Sequence, residues 1–172
     1  MTKQQHIAQL ENEWFNNGPQ LSESTANNLK RLLALLRAMH WNYWTSHWIS
    51  QGGGFYGDHL LFQRFYEGMP GEIDGLAEKV VSYVGPEAVS MTQQIGLAQQ
   101  YISAWAADDL FSRGLQSENQ LQDLLKNMMA KMEEVGESTL GLDDFLPALA
   151  SAHETNIYLL QQRLRGTLKK NI

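Results

Sequence analysis

Residues 22–48 read SESTANNLKRLLALLRAMHWNYWTSHW. Within this stretch Leu29, Leu32, Leu33, Leu36, His40, Tyr43, Trp44 and His47 recur at i, i+3, i+4, i+7 spacing, the pattern of one buried stripe on an α-helix. The spacing predicts a helix from about Ser22 to about Trp48, ended by the glycine run QGGGFYGD at 51–58. Trp41 and Trp48 fall together on an adjoining face. The helix therefore carries bulky groups on two sides and is expected to be covered on both.

The same periodicity continues along the chain. A short amphipathic segment within residues 1–20 carries Ile7, Leu10, Trp14 and Phe15 and stops at NNGP. A second long helix is expected from about Tyr56 to Val84, with His59, Phe62, Tyr66, Ile73, Ala77, Val80 and Val84 on one side and Pro70 as a candidate kink, because proline cannot donate its backbone hydrogen bond. Residues 85–116 read as a connection holding one short helix near Gln93 to Ala106. A third helix is expected to open at Ser117, whose spacing to Gln120 matches a capping box, and to bury Leu121, Leu124, Leu125, Met128, Met132 and Val135. A fourth carries Leu142, Phe145, Leu149, His153, Ile157, Leu160 and Leu164. Four long amphipathic helices with one long connection in the middle predict an all-α, ferritin-like four-helix bundle, since such a connection lets two neighbouring helices run parallel. The alternative is another all-α bundle.

Composition narrows the function. A chain of 172 residues is expected to be one domain, 1–172, able to bury roughly 70% of its unfolded surface without disulfides or a structural metal. It has no cysteine, which excludes thiol catalysis and cysteine-ligated metal sites and fits a reducing cytoplasm. Any metal must be held by imidazole, carboxylate or amide. The N-terminus is polar and no apolar run is long enough to span a bilayer, so the chain reads as soluble, with no membrane partner. A net charge of −6 argues against broad binding to phosphate backbones. Four of the thirteen Lys and Arg do lie in the last ten residues, where a helix dipole favours them and a polyanion could also meet them.

Polar residues at the edge of the apolar stripes point to metal. On the second helix Asp74 and Glu78 are four apart, and at about 100° per residue Asp74 lies within roughly 60° of His59 on the wheel. Carboxylates at a core edge are expensive unless paired or bound to a cation. Each residue taken alone has a blander reading: a satisfied core histidine for His40, a solvated carboxylate pair for Asp74 and Glu78.

LLALLRAMHW, FYGDHLLFQRFYEGMPGEIDGLAEKVV and DDFLPALASAHETNIYLLQQRL resemble the bundle helices of the Dps proteins, the mini-ferritins also known as DNA-binding proteins from starved cells. The likeness covers residues 25–84 and 117–166. In that family a histidine before a tryptophan, a second histidine at the start of the next helix, and an Asp and a Glu four apart form a di-iron ferroxidase site shared across a two-fold interface. The resemblance thus implies His40 beside Trp41, then His59, Asp74 and Glu78, as ligands of Fe(II), with Zn²⁺ or Mn²⁺ as possible substitutes. It also implies peroxide or oxygen as oxidant and a homo-oligomeric, twelve-subunit shell storing ferric mineral. Trp41 would then lie near the metals or pack an interface.

The chain departs from the family's pattern in two places. The gap from His40 to His59 is long, implying an insertion around SHWISQGGG. Gln63 stands four residues after His59, where the family has an aspartate, so Gln63 is a candidate fifth ligand whose neutral amide binds Fe²⁺ more weakly than a carboxylate. Ferroxidase activity and a shell with a degraded metal site both stay open on that account, beside an unrelated helical interaction module. His47 is read as a core histidine, an insertion-specific contact or an accessory ligand. Tight DNA binding is not expected, because the chain lacks a lysine-rich N-terminal arm.

Overall fold

The computed structural model describes residues 1–7, 9, 21–105 and 109–168. Residues 3–7 are helical; Leu10, Trp14 and Phe15 lie outside the described residues. The helices that follow are α1 (Glu23–Ile49), α2 (Phe55–Val84), a 3₁₀ turn (Pro86–Val89), α3 (Met91–Ala104), α4 (Leu110–Val135) and α5 (Leu140–Leu168). α1 packs along α2, α4 packs along α5, and α1 also contacts α4, which closes a four-helix bundle. α3 lies in the long connection between α2 and α4 and packs against α1. Among the described residues there is no strand.

Each helix follows from local chemistry. Ser22 caps α1 by accepting from the Thr25 N–H at 3.3 Å. Leu29, Leu32, Leu33, Leu35, Leu36, Met39 and Tyr43 of α1 are fully buried, and burying each such leucine is worth about 1.5–3 kcal/mol. Trp41, Trp44 and Trp48 are exposed. α2 runs unbroken through Pro70. Its buried stripe is Phe62, Phe65, Met69, Leu76 and Val80, whereas Tyr66, Ile73, Ala77 and Val84 are half-buried at its edge. The stripe is thus rotated from the expected one.

Helix α4 differs most from expectation. It begins at Leu110, capped by Asp109, whose carboxylate accepts from the N–H groups of Phe111 (3.2 Å) and Ser112 (2.7 Å). Ser117 is no cap but a buried mid-helix residue whose hydroxyl donates back to the Gly114 carbonyl at 2.8 Å. Gly114 sits in a tight place, because a Cβ there would lie 3.3 Å from Leu160 and 3.4 Å from Tyr43, and those side chains would have to give way.

The tip where α1 turns into α2 is clamped by Asp58 and Arg163 of α5, paired through two hydrogen bonds of 2.6 and 2.8 Å. Gly54 sits so close to this pair that a Cβ would approach both side chains to 2.9 Å. The glycine-rich link is therefore a tight joint, five residues (50–54) from the end of α1 to the start of α2.

Replacing Asp109 with Ala should lower unfolding free energy by about 1 kcal/mol through loss of the cap, measurable by chemical denaturation. A helix that opened at Ser117 would leave that substitution neutral.

Candidate metal centre

His47 lies in the last turns of α1 and His59 in the second turn of α2. The tight joint folds them together. Their rings stack with centroids 3.6 Å apart and planes 23° from parallel. The Nδ1 of His47 is 2.9 Å from the backbone oxygen of His59, and the Nδ1 of His59 is 2.9 Å from the backbone oxygen of His47. A carbonyl oxygen can only accept, so each Nδ1 carries the proton, and in the neutral ring each Nε2 keeps its lone pair. That outer hydrogen bond is the usual device for fixing the tautomer and aim of a metal-binding histidine. Tyr66 meets the His47 ring edge-on at 5.2 Å, and Phe55 lies 5.2 Å from His59.

His40 is two helical turns before His47 and does not join this pair. It is half-buried, 5.5 Å from the ring of Trp44 and 6.3 Å from Tyr66. Burial lowers its pKa and favours the neutral ring. Gln63, one turn after His59, donates its amide N–H to Glu67 at 2.7 Å, which leaves its carbonyl oxygen available. Asp74 and Glu78 are exposed on α2. Fifteen residues separate His59 from Asp74, about 22 Å along a helix at 1.5 Å per residue. No single ion can touch both within one chain. Among the described residues no group of three or more His, Asp or Glu side chains converges on a possible ion position.

A second polar constellation lies inside the bundle, with one group from each long helix. Glu118 of α4 and His153 of α5 are buried, and His153 Nδ1 is 2.6 Å from Glu118 Oε2. His153 Nε2 is 3.1 Å from Glu72 Oε2 of α2. The buried hydroxyl of Tyr43 in α1 donates to Glu118, as does the amide of Asn156 at 3.1 Å. Burial alone would push the His153 pKa down, but the hydrogen bonds and charges of Glu118 and Glu72 outweigh it and raise it to about 9. His153 is thus an imidazolium held between two carboxylates. Tyr43 titrates well above its ordinary range because of burial and the Glu118 charge.

No protein-family profile matches the chain. An uncharacterized protein of Haemophilus influenzae is 26% identical over 111 residues, 63% of this chain and 69% of that one. Among solved structures, Dps of Vibrio cholerae, a member of a broad superfamily of ferritin-like diiron-carboxylate proteins, superposes with a TM-score of 0.67 at 20% identity, over 83% of this chain and 89% of its own. DpsC of Streptomyces coelicolor gives 0.67 at 22% identity over 81% and 83%. Dps of Thermosynechococcus elongatus gives 0.65 at 19% over 83% and 90%. The chain has the Dps fold.

In this Dps-fold chain the sequence leaves the role of His47 open among three readings and passes over Glu72 and Glu118. His47 stands beside Trp48 just as His40 stands beside Trp41, and that second His-Trp pair was a visible signal for a histidine meeting His59. Glu72 and Glu118 occupy stripe positions between apolar residues, Met69 and Leu76 in one case, Gly114 and Leu121 in the other. Their presence in a core stripe was the signal for a buried partner, and His153 is that partner.

The sign of the pH dependence follows from a raised pKa. The stabilisation carried by His153 is complete below its unfolded value of about 6.5 and is lost as pH rises through about 9. Urea unfolding of the wild type should therefore weaken between those limits. Glu118→Gln, which leaves the imidazolium short of its closest carboxylate, should destabilise by about 3 kcal/mol at pH 7 and flatten that slope.

Proposed function

We propose that copies of this chain assemble into a Dps-like shell of twelve subunits that takes up ferrous iron, oxidises it at sites shared by two chains, and stores the ferric product. The observation that carries this reading is the His47–His59 clasp. It presents imidazole nitrogens at one end of α2, while the carboxylates Asp74 and Glu78 lie about 22 Å further along the same helix. An ion that uses both sets must draw them from two chains. In a two-fold interface each chain offers both sets to its partner.

The donor chemistry fits ferrous iron as substrate. Imidazole with hard carboxylate oxygen suits Fe²⁺, and also Zn²⁺ or Mn²⁺ as inhibitory substitutes. Asp74 and Glu78 of one chain would hold an ion together with imidazole of the other, and their charge would stabilise the ferric product. His47 is better supported than His40 as that imidazole, because its Nδ1 is committed and its ring is aligned with His59. His40 remains a candidate outer ligand. In the overall reaction two ferrous ions give one electron each to one peroxide, which takes up two protons and leaves as two waters. Oxygen is the alternative oxidant.

Oligomerisation has separate support. Trp44, Trp48, Ile49, Phe55, Tyr56 and Leu60 are exposed around the histidine pair. A patch of large apolar side chains at that place is what an interface covers. Gln63 favours a second reading, a shell whose metal site is reduced to a structural role, since an amide dipole stands where a carboxylate would supply full charge. Glu67, hydrogen-bonded to Gln63, brings a carboxylate within one turn and supports retained iron binding.

Anaerobic Fe²⁺ titration followed by peroxide separates the two readings. The wild type should bind and oxidise iron, Asp74→Asn and His47→Gln should each lower the rate at least tenfold, and His40→Gln should have a smaller effect. Gln63→Asp should tighten the second ion and speed oxidation. Silence of Asp74→Asn and His47→Gln together would leave only the structural shell. A net charge of −6 also predicts no gel-shift of duplex DNA by submicromolar protein at about 150 mM salt; retention there would contradict the charge argument.

A further inference from the structure

On the other side of α1 from the histidine pair, a cavity of about 200 Å³ opens between α1, the end of α3 and the start of α4. Its lining is Trp41, Asn42 and Thr45 of α1, Ile102 and Trp105 from α3 and its cap, and Arg113 of α4. The two indoles and Ile102 make apolar walls. Trp105 is 6% exposed and donates its ring N–H to Gln120 at 2.8 Å, so its ring is held in place. Trp41 is half-exposed at the mouth.

The polar lining is nearly all donor. Arg113 donates its Nε–H to the Asn42 side-chain oxygen at 2.8 Å. That bond settles the orientation of the amide, since reversing it would set two donors against each other. The remaining Asn42 nitrogen is therefore an N–H donor, and it is buried with no acceptor, in a side chain only 7% exposed. An unmet buried donor is costly enough to call for an explanation. Arg113 makes no ion pair among the described residues. Asp109, one turn earlier, has both carboxylate oxygens on the backbone N–H groups of α4. In an acidic chain this is a local excess of donors and positive charge, and it is walled by flat rings.

We propose that this cavity binds a compact planar anion, an aromatic carboxylate of one ring. The volume holds roughly six or seven waters at liquid density, which is the bulk of such a molecule. The ring would lie against Trp41 and Trp105, and the carboxylate would accept from the Arg113 fork, whose planar geometry matches it. A small movement of Asn42 brings its unmet N–H to the same carboxylate. A cation finds no negative side chain in this lining, and a neutral ring leaves the guanidinium unpaired. The site is independent of the proposed iron chemistry and lies on different residues.

The test uses the assembled full-length protein, with sodium benzoate as probe and benzyl alcohol as its uncharged counterpart, followed by tryptophan fluorescence and calorimetry. Benzoate should saturate with a submillimolar dissociation constant, at least tenfold tighter than benzyl alcohol, and weaken with salt. Arg113→Gln should loosen benzoate at least tenfold, and Trp41→Leu, at a half-exposed position that the fold tolerates, should loosen it several-fold. Equal affinity for benzoate and benzyl alcohol, no saturation by about 20 mM, or an unchanged constant in both variants would overturn the proposal.

Discussion

Two hydrogen bonds between the ends of α1 and α2 organise the tip of the bundle where these helices meet. Each runs from the ring Nδ1 of one histidine to the backbone oxygen of the other, so the His59 ring satisfies a carbonyl left open at the C-terminal end of α1 and both rings are oriented. The arrangement needs the helices to meet at close quarters. The joint at 50–54 allows it because Gly54 leaves room for the Asp58–Arg163 pair, which in turn ties the joint to α5. The two rings then stack with centroids 3.6 Å apart.

The bundle interior answers a different constraint. A core built only of leucine and methionine would pack, but it would distinguish poorly between alternative helix pairings. Here Tyr43, Glu72, Glu118 and His153 each come from a different long helix and meet in one hydrogen-bonded group. Breaking any one partner leaves a buried charge or hydroxyl unmet, which penalises misregistered packing more sharply than lost apolar contact does. The cluster faces inward while the histidine clasp faces the exposed aromatic patch, so the chain separates what holds the bundle from what would meet a partner.

Much of the fold was legible because helical periodicity is a strong signal over long segments. The stripe of Leu29 to Tyr43 placed α1 within a residue of its observed limits, and the apolar run of α2 gave its length. Ser117 misled because Ser-x-x-Gln is a capping pattern that also occurs mid-helix, where a serine hydroxyl can return to the preceding turn. The candidate site rests on a few residues whose spacing is visible. His59, Asp74 and Glu78 stand out by spacing, but sequence spacing alone cannot say which of two His-Trp pairs the joint brings against His59. That choice depends on how tightly the glycine link closes, a property of Gly54 and of a salt bridge to a residue 105 positions away. The Asn42–Arg113 cavity left no pattern in the sequence, since it depends on how α3 docks on α1.

The central claim is that iron is held by residues of two chains, and subunit mixing tests it directly. One variant carries His47→Gln with His59→Gln, the other Asp74→Asn with Glu78→Gln, and each alone should fail to oxidise Fe²⁺. Dissociated, mixed in equal amounts and reassembled, they should regain about a quarter of wild-type activity, since half of the two-fold pairs are mixed and each mixed pair has one complete site. Mixed assemblies as inactive as either parent would contradict a site shared between chains.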